Sequence, residues 1–338
     1  MRLIQSGLVA FAALMVALVA GQPAQAADPV KLRIAWIVPA GDAPLQLLGK
    51  EGIAQHEGKS YTLEFTHFTA TPPMISAVAA DQIDFVPFAY SSLGLAIENA
   101  KLDDLRIIAD VFQDGVQDYY SSEYMVANDG PIKKVEDLKG KVVTSNGAGS
   151  AVDIALRAML KKHGLEDKKD YSLIETAFPN MKAQLADHKV DLITGVAPFS
   201  KDPALRAMAH PLFLQKDAIG PSQMIVMAVR QAFLAKNRAA IVDFLEDNLR
   251  EIRWYWDPKN HDEAIKIVSA FSKTPEALWA SWLFTKGDDY HDPNGMPDLD
   301  ALNKNLATTH ELGFLGAPLD AKKYADLSLV KDAAARIK

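Results

Sequence analysis

Short apolar runs rich in β-branched residues alternate with amphipathic stretches of helical length through the first two hundred residues. Strands are expected at Leu32 to Val38, Thr62 to Phe68, Ile83 to Val86, Arg106 to Phe112, Glu123 to Ala127, Val142 to Ser145, Ser172 to Glu175 and Val190 to Thr194. Helices are expected at Pro44 to His56, Met74 to Ala80, Ser150 to His163 and Met181 to His188. Alternation of this kind predicts an α/β fold with largely parallel sheets. After Arg230 the pattern turns helical. Ile241, Phe244, Leu245, Leu249, Ile252, Tyr255 and Trp256 recur along one face until Pro258 ends the segment. Helices from Asp262 to Phe271 and from Pro275 to Phe284, a polar loop from Lys286 to Asp298 and two closing helical pieces complete the chain. This tail has no sheet of its own and is expected to wrap onto the first lobe.

A faint internal repeat sharpens the picture. Lys31-Leu32-Arg33-Ile34-Ala35 aligns with Lys141-Val142-Val143-Thr144-Ser145 at an offset of 110, and Tyr61-Thr62-Leu63 aligns with Tyr171-Ser172-Leu173 at the same offset. Ile83-Asp84-Phe85 aligns with Val190-Asp191-Leu192 at 107. Three matches in one order predict two similar α/β lobes. Tyr119-Tyr120-Ser121-Ser122 leaves the first lobe and Ser222-Gln223-Met224 returns, so two crossings would allow hinge closure. The expected division is residues 27–117 with 225–338 for one lobe, carrying the C-terminal helices, and 118–224 for the other.

The first 26 residues stand apart. Arg2 precedes the uninterrupted apolar run Leu8 to Ala20, and Ala24-Gln25-Ala26 supplies a small-residue cleavage site. Thirteen apolar residues fall short of the roughly 20 a spanning helix needs. The segment therefore reads as a secretory signal cut after Ala26, and no cysteine follows it for a lipid anchor. A free protein in a Gram-negative periplasm is the expectation.

Composition closes off several classes of function. The chain of 338 residues has 36 basic and 43 acidic side chains and a formal charge of −7, without the basic footprint that nucleic acid requires. Without cysteine there are no disulfides, thiolate metal sites or thiol nucleophiles. None of the eight histidines lies within four residues of another, so no metal cluster is encoded locally. Gly147-Ala148-Gly149-Ser150-Ala151-Val152 imitates a dinucleotide fingerprint but ends in valine where the third glycine belongs. Tyr290 to Gly295 imitates part of a calcium loop, but Tyr290 occupies the first ligand position, and a surface turn is expected. Neither a catalytic constellation nor a cofactor is expected.

The positive signals concern binding. At Val142 to Ser150 a strand runs into a small-residue loop that opens a helix. Asn146, Gly147, Ala148, Gly149 and Ser150 could present backbone amides to an anion. They could equally form a self-contained cap, with Ser150 and Asp153 in an S-x-x-D pattern. Ligands of open α/β sheets bind beyond the carboxyl ends of the strands, which adds Pro39 to Asp42, His67 to Thr71, Pro87 to Ser91 and Gly195 to Phe199. Within these, Pro39, Ala40 and Pro198 shape loops, and Thr69, Thr71, Tyr90 and Ser91 offer hydroxyls. His67 is the nearest candidate cation. Trp36, Phe88, Tyr119 and Phe199 could stack on a flat ligand, although core packing is the commoner fate of such aromatics.

Leu32 to Ala35, Ala80-Asp81-Gln82-Ile83-Asp84-Phe85 and Val135-Glu136-Asp137-Leu138-Lys139-Gly140-Lys141-Val142-Val143 resemble the solute-binding proteins of bacterial ABC importers. Ala197-Pro198-Phe199 after the Val190-Asp191 strand is similar to the sulfonate, taurine, nitrate and pyrimidine-precursor branch. The resemblance implies a type II periplasmic-binding fold, with two α/β lobes joined by two crossover strands and a helical C-terminal extension. It also implies a monomeric receptor, without cofactor, that delivers its ligand to the transmembrane subunits of an ABC permease. His188-Lys189 departs from the glycine common before the Val-Asp strand, and no arginine matches an anion clamp. A small organic anion, sulfonate-like or an aromatic carboxylate, is the expected ligand. The alternatives are an enzyme like the pyrimidine-precursor synthases of this fold, or a ligand-sensing subunit of a membrane receptor.

Overall fold

The computed structural model describes residues 28–38 and 50–337. The expected secretory signal, Pro39, Ala40 and the first half of the helix expected from Pro44 to His56 lie outside the described residues; its second half, Lys50 to His56, forms turns and bends rather than helix. The strands are β1 (Val30–Trp36), β2 (Tyr61–His67), β3 (Val86–Ala89), β4 (Leu105–Asp114), β5 (Glu123–Ala127), β6 (Lys141–Ser145), β7 (Tyr171–Glu175), β8 (Ile193–Gly195), β9 (Ala209–Leu214) and β10 (Ser222–Arg230). The helices are α1 (Pro72–Ala79), α2 (Tyr90–Glu98), α3 (Ala151–Lys162), α4 (Phe178–Ala186), α5 (Pro203–Met208), α6 (Gln215–Ile219), α7 (Gln231–Tyr255), α8 (His261–Ser272), α9 (Glu276–Trp279), α10 (Leu299–Glu311) and α11 (Ser328–Arg336).

Two sheets share one strand order. In the first, β2 pairs with β1 in parallel and β3-β10-β4 continue beyond; Ile34 bridges to Phe85, and the Ala35 amide donates to the Phe85 carbonyl at 3.1 Å. In the second, β7 pairs with β6 in parallel and β8-β5-β9 continue; Val143 bridges to Leu192, and the Thr144 amide donates to the Leu192 carbonyl at 3.0 Å. The orders 2-1-3-10-4 and 7-6-8-5-9 are one topology used twice, and this is the origin of the sequence repeat.

The structure corrects the repeat by one residue. Ile34 and Val143 hold equivalent bridges, an offset of 109, whereas the sequence match places Ile34 opposite Thr144. A one-residue slip exchanges the faces of a strand. The structural register keeps Ile34 and Val143 both buried against the third strand.

The sheets are also less parallel than expected. β5 runs antiparallel to β8 and β9, and β10 runs antiparallel to β3 and β4. Each of these strands enters its sheet from the other lobe, so it arrives from the opposite end. β10 accordingly extends well past the three residues expected for the crossover, and all but its last residue are buried. The segment from Pro87 to Ser91 is not a loop: it is the end of β3 and the first turn of α2, an element absent from the expectation.

The core spans the first sheet and its covering helices. Phe85 packs edge-on against Phe244 of α7 at 5.0 Å, and Tyr61 meets Phe244 at 5.6 Å. A smaller core under the second sheet is centred on Tyr124 stacked on Phe213 at 4.4 Å. In the tail, α11 packs on α7, and α10 packs on β10 and α2. Among the described residues no helix is long and apolar enough to cross a membrane.

Candidate functional site

The two crossings are tied to one another by side chains. At the first, Asp114 accepts from the Ser121 hydroxyl at 2.6 Å and the Ser122 amide at 2.7 Å. At the second, the Gln215 amide group donates to the Ser222 hydroxyl at 3.1 Å. Gly115 sits between them at φ 68°, where a Cβ would come within 2.8 Å of the Lys216 Cβ. Only glycine combines that backbone conformation with that clearance.

Beside the crossings, between the sheets, lies a cavity of about 660 Å³ counting the space at its mouth. Ile37, Thr71, Pro87 and Phe112 wall it on the first-sheet side; Asn146, Ser150, Phe178 and Val196 wall it on the other. Tyr120 and Ser122 come from the first crossing, and Met224 and Ile225 from β10. The lining is mostly apolar. Among the described lining residues the one charged type is Asp289. Burial pushes the Asp289 carboxyl well above the usual range, and the neighbouring Asp288 and Asp114 push it further, with Lys201 pulling the other way.

The walls touch each other. The Tyr90 hydroxyl donates to the Ala151 carbonyl at 2.7 Å, and the Asn146 side-chain amide donates to the Thr69 carbonyl at 3.2 Å. Lys161 reaches the Glu311 carbonyl at 2.8 Å, and a Cβ on Gly149 would lie 3.0 Å from Leu95. The two lobes are therefore closed on one another.

The start of α3 resolves one of the open alternatives. The Gly149 amide donates to Asp153 at 2.8 Å, the Ala148 amide to Glu175 at 2.9 Å, and the Asp153 amide to the Ser150 hydroxyl at 3.3 Å. Carboxylates of the chain itself thus satisfy the amides that an anion would need. The cap forms; Arg157, bonded to Asp153 at 3.0 Å, balances its charge.

Of the residues singled out from sequence, Thr71, Asn146 and Ser150 line the cavity between the sheets. Pro198 and Phe199 line a neighbouring one between α4, β8 and the segment containing Thr274 and Leu278. The other described ones do not line the cavity between the sheets. Phe88 is fully buried in the core, and Ser91 is buried beside it on α2. Tyr90 spends its hydroxyl on Ala151, and Thr69 contributes its carbonyl to Asn146. Trp36 packs on His67 at 4.4 Å, and the His67 ring lies 3.2 Å from the Ile37 carbonyl, outside the cavity. Tyr119 packs on Trp256 at 5.4 Å and Tyr290 at 5.2 Å, so the hinge tyrosine that faces the cavity is Tyr120. Gly147, Ala148 and Gly149 shape the loop before α3.

The loop expected to be a surface turn at Tyr290 to Gly295 is exposed only at its tip. Asp288 and His291 are each 2% exposed, and the Tyr290 and Gln113 backbones exchange hydrogen bonds at 3.1 and 2.8 Å. That pairing lays the loop along β4 and brings Asp289 to the cavity. Elsewhere, ligand-type atoms of His56, Asp243 and Glu246 converge within 4.8 Å. Arg336 bonds Asp243 at 2.7 Å and Arg250 bonds Glu246 at 2.5 Å, so both carboxylates are already paired.

A family model described as the NMT1-like family matches residues 25–269. The chain belongs to the NMT1-like family. Solved structures similar to this NMT1-like chain include the periplasmic nitrate-binding protein NrtA from Synechocystis PCC 6803, at 16% identity and TM-score 0.70 over 92% of this chain and 89% of that one. The alkanesulfonate-binding protein SsuA from Xanthomonas axonopodis pv. citri, bound to MOPS, is similar at 16% identity and TM-score 0.69 over 90% of this chain and 100% of that one. The desulfurization enzyme DSZB is similar at 13% identity and TM-score 0.65 over 91% of this chain and 100% of that one. At these identities the likeness establishes the fold. This NMT1-like chain has the type II periplasmic-binding fold, with two α/β lobes, two crossover strands and a helical C-terminal extension.

Proposed function

We propose that the chain is a periplasmic receptor that closes its two lobes over a small organic solute and presents it to the permease of an ABC importer. The observation that carries this reading is the cavity between the sheets, beside both crossings and spanned by the Tyr90 to Ala151 hydrogen bond. A closed, mostly apolar chamber with a few polar groups is what a small-molecule site requires. The lobes divide at residues 27–117 with 225–338 and at 118–224, and the leader cut after Ala26 delivers the protein to the periplasm as a monomer.

Among organic anions, the walls favour a flat aromatic carboxylate over nitrate or a small sulfonate. A compact oxyanion needs several donors. Here the amides at the start of α3 are taken by Asp153 and Glu175, whereas Phe112, Phe178 and Tyr120 offer ring surface.

A thermal-shift panel tests the reading on the protein starting at Ala27, with aromatic carboxylates, sulfonates, nitrate and pyrimidines. A solute at 100 times its dissociation constant adds about 2.7 kcal/mol of stability, and one chemical class is expected to raise the melting temperature. No shift from any class would overturn the reading. Recovering the solute chemically changed would favour the enzymatic alternative, which the fold of the desulfurization enzyme keeps in view.

A further inference from the structure

We propose that Lys201 recognises charge in a ligand site that continues from the cleft to beneath the C-terminal extension, and that its ammonium holds the carboxylate of a flat aromatic acid. This rests on the receptor reading and names the ligand's chemistry.

The short helical turn Phe199–Lys201 places both residues on the second cavity, about 860 Å³ counting its mouth, with Thr274 and Leu278 of the extension opposite. Phe178 lines both cavities and is the side chain they share. Its ring lies nearly parallel to that of Phe199, at 21° and 6.1 Å. Apolar ring surface and a cation therefore share one chamber.

The cation is unmatched. Its Nζ lies 4.1 Å from the centroid of the Tyr120 ring and 5.8 Å from that of Trp282. Among the described residues, no carboxylate comes within 4.0 Å of it and no acceptor hydrogen-bonds it. The other lysine of the same chamber, Lys182, is paired with Asp202. Glu123, the nearest acid by influence, is engaged by Arg206 at 2.6 Å. Aromatic faces attract an ammonium but accept no strong hydrogen bond from it, so the three donors of this half-buried group remain available to a ligand or to water. Burial lowers the proton affinity of Lys201, Arg206 lowers it further, and Glu123, Asp289 and Asp288 partly restore it. A ligand carboxylate would supply an acceptor of opposite charge.

Tyr120 links the two chambers. Its hydroxyl is fixed by the Gly195 carbonyl at 3.0 Å and the Ser200 hydroxyl at 2.7 Å. The ring is thereby held under Lys201 while the same residue lines the cavity between the sheets. A ligand spanning both chambers places its ring against Phe178 and its acid at Lys201.

Calorimetric titration with benzoate and its neutral isostere benzamide tests this. Wild type is expected to bind benzoate at least tenfold more tightly. Lys201→Met is expected to bind the two alike, and Lys201→Arg to keep part of the preference. Equal binding of the two probes by wild type, which needs no variant, would overturn the inference, as would a preference that survives in Lys201→Met. Binding of neither probe would also overturn it. In that case a melting-temperature shift by another class in the panel leaves the receptor reading standing, and no shift from any class ends both.

Discussion

The Tyr90 hydroxyl, on a helix of the first sheet, donates to the Ala151 carbonyl at the start of α3 on the second, at 2.7 Å and out of contact with solvent. This hydrogen bond is one of those that join the lobes. A buried hydrogen bond contributes about 0.5–1.5 kcal/mol, and this one exists only while the lobes are closed.

Tyr90→Phe should therefore weaken solute binding by up to about tenfold, since 1.4 kcal/mol is a factor of ten. Tyr124→Phe is the control. The Tyr124 hydroxyl donates to the Val152 carbonyl at 2.7 Å within one lobe, so its loss should lower the melting temperature and leave affinity unchanged. Titration of both variants with the same solute separates the two effects.

His291 predicts a pH dependence of stability. Burial lowers its pKa from 6.5 to about 4, and its Nδ1 lies 2.6 Å from the Val111 carbonyl, the geometry of a neutral ring donating through Nδ1. Between those values the unfolded chain binds a proton that the folded one does not. Stability from this residue is thus complete above pH 6.5 and falls as pH drops toward 4. Asp110 and Asp288, both raised from 3.8 to about 7 by burial, act with the opposite sign. Their contribution is present at acid pH and lost as pH rises toward 7. The difference in unfolding free energy between wild type and His291→Asn should therefore grow from pH 4 to pH 6.5, as measured by denaturant melts.

The start of α3 gives a third prediction. Asp153 is fully buried, accepts from Gly149 and holds Arg157. Asp153→Ala should cost about 1–3 kcal/mol through the unpaired amide and guanidinium it leaves. Nitrate should raise the melting temperature of wild type no more than chloride does. A nitrate-specific rise would mean that these amides serve an anion after all.

The fold was legible because strands and helices keep their periodicities whatever surrounds them, and the repeat carried the lobe architecture. Two features were hidden. β9 contains His210 and Pro211, which break an apolar run, and it is held as an edge strand by pairing with β5. α2 begins at Tyr90 directly from β3, with no side-chain cap to mark it.

The site was less legible, because a cavity is made by tertiary closure. Tyr120, Met224 and Asp289 are distant in sequence and meet only once both crossings are in place. Asp289 was masked by a loop whose composition reads as solvent-exposed, although its backbone pairs with Gln113. Lys201 left one trace: it is a base two residues beyond the strand-end segment Gly195 to Phe199, in loops otherwise poor in bases.

The absence of cysteine permits a direct test of closure over a solute. The Asn146 side chain reaches the Thr69 carbonyl across the lobes, so the double variant Thr69→Cys with Asn146→Cys is oxidised and its disulfide confirmed by loss of free thiol before use as a lock. The solute selected by the thermal-shift panel is loaded first, and its release is timed by rapid gel filtration before and after reduction. The account predicts retention in the oxidised protein and fast release on reduction. Equal release from both would contradict it, since the solute would then lie outside the space the lobes enclose.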